Sequence, residues 1–166
     1  MKLYKKRKLY SVILFYLYMV ALCYFLFFAE FFGRVDTGRE YHYNLQLFKE
    51  IYRFYHYRHI LGMKAFLLNV VGNVVVFFPF GYFLPMMTKR CKNFLFVTIL
   101  TATTSLCIES IQLVCKVGSF DVDDILLNTL GGMIGYLIYR VHQLWFRRQI
   151  KRKGMGNNER YKSEKS

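Results

Sequence analysis

Acidic residues are scarce in this chain, ten against 24 lysines and arginines, and its 166 residues include only two prolines and one tryptophan. So little proline beside 55% hydrophobic residues excludes intrinsic disorder, because that much apolar surface collapses or partitions into lipid. The length supports one domain, since a second would lack the residues to bury a core of its own. The four cysteines form no C-x-x-C, which removes a zinc ribbon and a thioredoxin-like redox site. A formal charge of +14 suits a nucleic acid or a membrane. In a nucleic-acid-binding domain the apolar residues would recur at helix or strand periods, whereas here they come in blocks. The blocks point to membrane lipid as the partner and away from nucleic acid.

Leu9 to Ala29 is a run of 21 residues without a charge, which as a helix spans about 31 Å, the thickness of a bilayer core. It is too long for a signal-peptide apolar region and lacks a small-residue cleavage pattern, so it reads as a retained anchor. The second block runs from Ala65 to Met87 and carries Asn69, Asn73, Pro79 and Pro85; the third, Phe94 to Cys115, is uncharged except for Glu109. The fourth runs from Ile125 to about Tyr139 and reaches Phe146 if Arg140 snorkels, with Tyr139 and Trp145 in an interfacial belt. The expectation is an all-α polytopic membrane protein, a four-helix transmembrane bundle with spans near 9–29, 65–87, 94–115 and 125–146. A basic terminus (1–8) and a basic tail (147–166) flank these spans.

Sixteen lysines and arginines lie in the N-terminal flank, the loop between the second and third spans, and the tail, against seven in the other two loops. By the positive-inside rule both termini are cytoplasmic, in a multi-pass cell-membrane protein. The tail is expected to rest its basic start on anionic lipid and to lose order beyond about Lys153. In the first loop Leu47, Phe48, Ile51, Phe54 and Tyr55 share one helical face, opposite Lys49, Arg53 and His56. That pattern suits a short helix lying on the outer membrane surface or packing against the protein's own loops.

Cys23, Cys107 and Cys115 fall in spans and Cys91 in a cytoplasmic loop, where they read as small apolar residues. His56 and His59 are three residues apart without carboxylates on the same face, so no metal is expected, and no other cofactor. Gly131 and Gly135 make a G-x-x-x-G whose face Gly132 widens; this allows close approach of a helix, not a phosphate loop.

Glu109 is the most informative residue. A carboxylate inside a span costs about 3 kcal/mol, so it must face protein or water. Ser105, Gln112 and Lys116 share its helical stripe. Asp121, Asp124 and Asn128 share a face at the start of the fourth span, and Asn69 with Asn73 lie one turn apart in the second. Counting inward from the expected outer boundary puts these groups about 5–12 Å deep on three helices. Asn69, Asn73, Glu109, Gln112, Asp121, Asp124 and Asn128 therefore form a candidate polar cluster, with Glu109 and Asp124 the candidates for chemistry. Helix capping by Asp121 and dipole complementation by Asp123 and Asp124 stand as the structural alternative.

Asn69-Val-Val-Gly-Asn73, continued through Pro79, Gly81 and Pro85, resembles the second-span signature of the VanZ-like family. Glu109-Ser-Ile-Gln112, then Asp121-Val-Asp-Asp124 through Asn128, Gly131, Gly132, Gly135 and Tyr136, is similar to that family's second half in order and spacing. The likeness covers Asn44 to about Tyr139, with one departure: Leu47 stands where the family tends to have proline in Asn-Leu-x-Pro-Phe. The resemblance implies a membrane protein associated with raised resistance to teicoplanin, a lipid-bearing glycopeptide. The resemblance itself supplies no mechanism. The orientation and depth of the polar cluster add the expectation of action at the outer leaflet, through contact with a lipid-linked cell-wall precursor, the antibiotic's acyl anchor or a wall-synthesis partner. Two alternatives accompany it. One is an enzyme on a polyprenyl-linked envelope lipid, with Glu109 as acid or base and Asp121 and Asp124 on a divalent cation. The other is a structural subunit of an envelope complex.

Overall fold

The computed structural model describes the backbone of residues 2–24, 43–57, 59, 63–88, 90–116 and 118–163. Side chains are described between residues 8 and 150 of these stretches, except at position 65. The elements in chain order are α1 (Lys2–Cys23), β1 (Tyr43–Asn44), α2 (Lys49–His56), α3 (Met63–Met87), a 3-10 turn (Arg90–Lys92), α4 (Phe94–Val114), β2 (Phe120–Asp121) and α5 (Val122–Ser163). The protein is all-α apart from two residue pairs of parallel strand, in which Tyr43 faces Phe120 and Asn44 faces Asp121.

Helix α3 over Phe66–Met87 and α4 are long and apolar enough to cross a membrane by length and composition; the apolar part of α1, Lys8–Cys23, is shorter. The end of the first expected span, 25–29, lies outside the described residues. α5 continues as helix to Ser163, where the tail was expected to lose order beyond about Lys153. Once the helix is nucleated each further residue adds a hydrogen bond, which carries it on through Gly154, Gly156, Asn157 and Asn158 despite their low helix propensity.

α5 is the central element and packs along α3 and α4, while α1 lies on α3. A Cβ at Gly131 would collide with the carbonyl oxygen of Val74, and one at Gly135 with that of Phe78. Both numbers increase together, so α3 and α5 run parallel with their backbones nearly touching. Gly132 faces Thr101 of α4, and Gly81 of α3 lies against the Gly132 carbonyl. Glycine is required here because any side chain would force three helices apart. Tyr18 reaches from α1 to donate to the Val76 carbonyl at 2.9 Å, and the Tyr82 hydroxyl meets His142 Nδ1 at 2.8 Å.

The apolar core gathers Phe77, Phe80, Leu84, Cys91, Val97 and Tyr136, with Phe15, Tyr18 and Met19 of α1 against it. α4 shows how the rest is arranged. Val97, Thr101, Ser105, Glu109 and Gln112 are its buried residues, while Leu95, Ile99, Leu106, Ile111 and Val114 are exposed. The polar stripe faces inward and the apolar one outward, the reverse of a water-facing helix. Asn93 caps α4, its Oδ1 accepting from the Leu95 and Phe96 amides.

α2 forms two residues later than the expected Leu47–Tyr55 and packs against the protein, contacting α3 and α5. Ile51 and Phe54 are half-buried, and Tyr55 meets Phe66 edge-on with centroids 6.3 Å apart. Leu45, Leu47, Phe48 and Tyr52 stay exposed, leaving an apolar shelf on the outside.

Candidate functional site

The loop ahead of α5 reads Asp121-Val-Asp-Asp124, and each aspartate takes a different partner. Asp121 Oδ1 accepts the Asp123 amide at 2.8 Å, which makes Asp121 the N-cap of α5. The same carboxylate oxygen accepts from Asn44 Nδ2 at 3.2 Å, and Asn44 Oδ1 in turn accepts the Gln46 amide. Asp123 turns the other way and is almost fully enclosed at 1% exposure. Its carboxylate accepts the amides of Phe48, Glu50 and Ile51, the free donors at the start of α2. Phe48 sits there with a left-handed φ of 64° and caps nothing with its own apolar side chain. An aspartate of α5 supplies the cap for α2. Asp124 accepts from Asn73 Nδ2 of α3.

Glu109 reaches the same region from α4. Its Oε2 accepts the Asp121 amide at 3.0 Å, a buried contact that holds the start of α5 against the end of α4. One turn below, Asn128 Nδ2 donates to Ser105 Oγ at 2.9 Å, and the buried Oδ1 of Asn128 meets no partner among the described residues. Gln112 is buried, and Gly118 folds over it, the Gly118 amide donating to the Gln112 carbonyl at 3.4 Å. Lys116 ends α4 with a φ of 55°. Asn69 is half-buried one turn ahead of Asn73.

Of the expected cluster, hydrogen bonds join Glu109 to Asp121 and Asn73 to Asp124, and Asn128 pairs with Ser105 instead. Glu109 and Asp124 engage different partners and sit at two edges of this knot around the start of α5. Sequence reasoning passed over three members: Asn44, Glu50 and the site role of Asp123. The Asp-x-Asp-Asp run was the available signal, but the groups that occupy Asp123 lie 72 to 75 residues earlier.

Electrostatically the knot is dense in acid. Burial lifts Asp121 above the ordinary carboxylate range, and the amide of Asp123 and the side chain of Asn44 partly offset this. Burial also lifts Glu50, and Asp121 and Asp123 add to it against the pull of Arg53 and Lys49. Arg53 pairs with Glu50 at 2.6 Å. Among the described residues no group of three or more His, Cys, Asp or Glu is arranged to hold a metal ion. His56 stacks on Tyr52, rings 5.6 Å apart. The four cysteines are free, and Cys91 alone of them is buried.

A predominantly helical chain with two helices long and apolar enough to cross a membrane and an outward apolar surface suggests a class: a helical membrane protein. Within that class, the family described as VanZ/LLP1 matches residues 15–146, and the chain belongs to this family. It is also similar to Protein VanZ of Enterococcus faecium, with 34% identity over 74 residues, 43% of this chain and 44% of that relative. The match therefore spans less than half of that relative's length. No solved structure matches the chain.

Proposed function

We propose that this chain is a four-span cell-membrane protein with both termini in the cytoplasm. In this reading it acts at the outer leaflet to lower susceptibility to glycopeptide antibiotics of the teicoplanin type. Membership in the VanZ/LLP1 family and likeness to a relative named Protein VanZ support the reading. The observation that carries it is the separation of charge along α5. The acidic knot begins at Asp121, and the cationic end, with Arg140, follows 19 residues later, about 28 Å along a helix axis. That distance is close to the hydrocarbon thickness of a bilayer, with basic residues on the cytoplasmic side.

The knot ties β1 and α2 to the outer ends of α3, α4 and α5. It thereby holds the shelf of Leu45, Leu47, Phe48 and Tyr52 at the interface with lipid. An apolar shelf at that level, backed by buried acids, suits contact with an acyl-bearing molecule: a lipoglycopeptide anchor or a lipid-linked wall precursor. The hydrogen bonds of Asp121, Asp123 and Asp124 support a positioning role for these acids, and so a reading of binding ahead of catalysis.

Expression in a susceptible strain tests the proposal. The inhibitory concentration of teicoplanin should rise while that of a glycopeptide without an acyl chain stays level. Equal susceptibility to teicoplanin with and without the protein, at confirmed membrane abundance, overturns it.

A further inference from the structure

At the end of the molecule opposite the acidic knot, α1, α3, the 3-10 turn and α5 enclose a cleft of about 310 Å³. Its described lining carries four cations, Lys8, Lys92, Arg140 and Arg147, and no acid. The walls are tied together beneath these charges. Ser11 Oγ of α1 donates to Met86 Sδ of α3 at 3.2 Å. The Tyr139 hydroxyl of α5 donates to the Pro85 carbonyl at 3.5 Å, and that of Tyr136 to the Lys92 carbonyl of the turn. These bonds hold together the backbone from which the four exposed cations project.

Four positive charges around one small cleft repel each other unless an anion enters. The carbonyl end of α3 supplies only about half a negative charge, too little to balance them. Leu144 and Phe146 lie on the same wall and are exposed, so the cleft has an apolar flank beside its cationic floor. Guanidinium forks bind phosphate oxygens in pairs, and ammonium groups add point charge.

We propose that this cleft binds the phosphodiester headgroup of an anionic phospholipid, with the acyl chains leaving along Leu144 and Phe146. A cleft of this volume takes a phosphoglycerol group and leaves the chains outside. The placement of that lipid in the inner leaflet rests on the cytoplasmic assignment made above; the binding itself does not.

The test uses the full chain purified in a neutral detergent, with retained lipid counted by native mass spectrometry against phosphatidylglycerol and phosphatidylcholine. Wild type should retain phosphatidylglycerol in clear preference. Each cation near an anionic headgroup contributes about fivefold, so the double variant Arg140→Gln, Arg147→Gln should lower that preference about 30-fold. Arg148→Gln, exposed on the same helix but outside the cleft, should leave it unchanged. If the double variant does not fold, Lys92→Gln on the exposed turn reads the same effect at about fivefold. Equal retention of the two lipids, or cleft variants that bind as wild type, overturns the proposal. Displacement of the lipid by millimolar inorganic phosphate would show a site for free phosphate and overturn the lipid assignment. Reversed sidedness in cysteine labelling, with lipid preference intact, would overturn the topology and leave the headgroup site standing.

Discussion

The carboxylate of Asp123 accepts the backbone amide of Phe48, 75 residues earlier in the chain. Through this bond, and those to Glu50 and Ile51, the first turn of α5 forms the N-terminal cap of α2. A carboxylate accepting three amides at a helix start combines capping with the favourable end of the helix dipole. Phe48 in the left-handed region turns the chain where these three donors converge on one carboxylate.

Asp123→Ala should therefore release α2 from the helices. The lost charge-assisted bonds cost about 1.5–3 kcal/mol each at most, and the three share one acceptor group. Hydrogen exchange over residues 49–56 should quicken, with the thermal midpoint lowered and α4 still protected. Asp123→Asn keeps one acceptor oxygen and should fall between. Unchanged exchange in the alanine variant would remove the cap from the account.

Glu109 holds the Asp121 amide, and a glutamine there keeps an acceptor oxygen at the same reach. Abundance of Glu109→Gln should match wild type, whereas Glu109→Ala leaves a buried amide unpaired at a cost of about 1–3 kcal/mol. Asp124→Asn acts on a separate link, to Asn73. The stability effects of the two substitutions should then add within about 0.5 kcal/mol in a double-mutant cycle. Strong coupling between them would mean the two acids work as one pair.

Gly135 has the Phe78 backbone where its side chain would be. Gly135→Leu should abolish most folded protein in the membrane fraction, and Gly135→Ala should cost about 1–3 kcal/mol by overpacking. By contrast, nothing lies within 4 Å of a Cβ at Gly72, so Gly72→Ala should be tolerated. Normal yields of Gly135→Leu would place that face toward lipid.

Stability should fall as the pH rises from about 4. Glu50 and Asp121 hold their protons more tightly folded than unfolded, chiefly because burial penalises the charged form. Protonation therefore favours the fold. Their contribution is fully present below the unfolded value of about 4 and is lost as the pH passes through the raised folded values. The slope of thermal midpoint against pH, measured in detergent, should flatten in Glu50→Gln. A midpoint that climbs over this range in wild type, with the same slope in the variant, would contradict the assignment.

Topology needs a reporter other than Cys91, whose thiol is buried in the core at 3% exposure and pushed up by burial. Thr88 and Ser119 are exposed at opposite ends. In a cysteine-free background, Ser119→Cys should react with an impermeant thiol reagent in intact cells, and Thr88→Cys only after the membrane is opened. The reverse pattern would invert the proposed orientation.

The sequence by itself determined the all-α class, the long apolar helices α3 and α4, the inward stripe of Ser105, Glu109 and Gln112, and the basic residues that follow Tyr139. These are local properties, set by the length of an apolar run, by residues three and four apart, and by charges beside a block. The small residues of α5 were equally legible as a contact face, though not that Gly131 and Gly135 meet α3 while Gly132 meets α4. Tertiary structure alone decided that Asp123 caps α2, that Asn44 pairs with Asp121, that Cys91 is buried, and that four cations share a cleft. Each of these joins residues from elements far apart in the chain, and such a contact leaves no period in the sequence. The part-buried amides at the start of α2 meet a carboxylate only where the first loop lies against the end of α5, and backbone donors that lose water need such a partner.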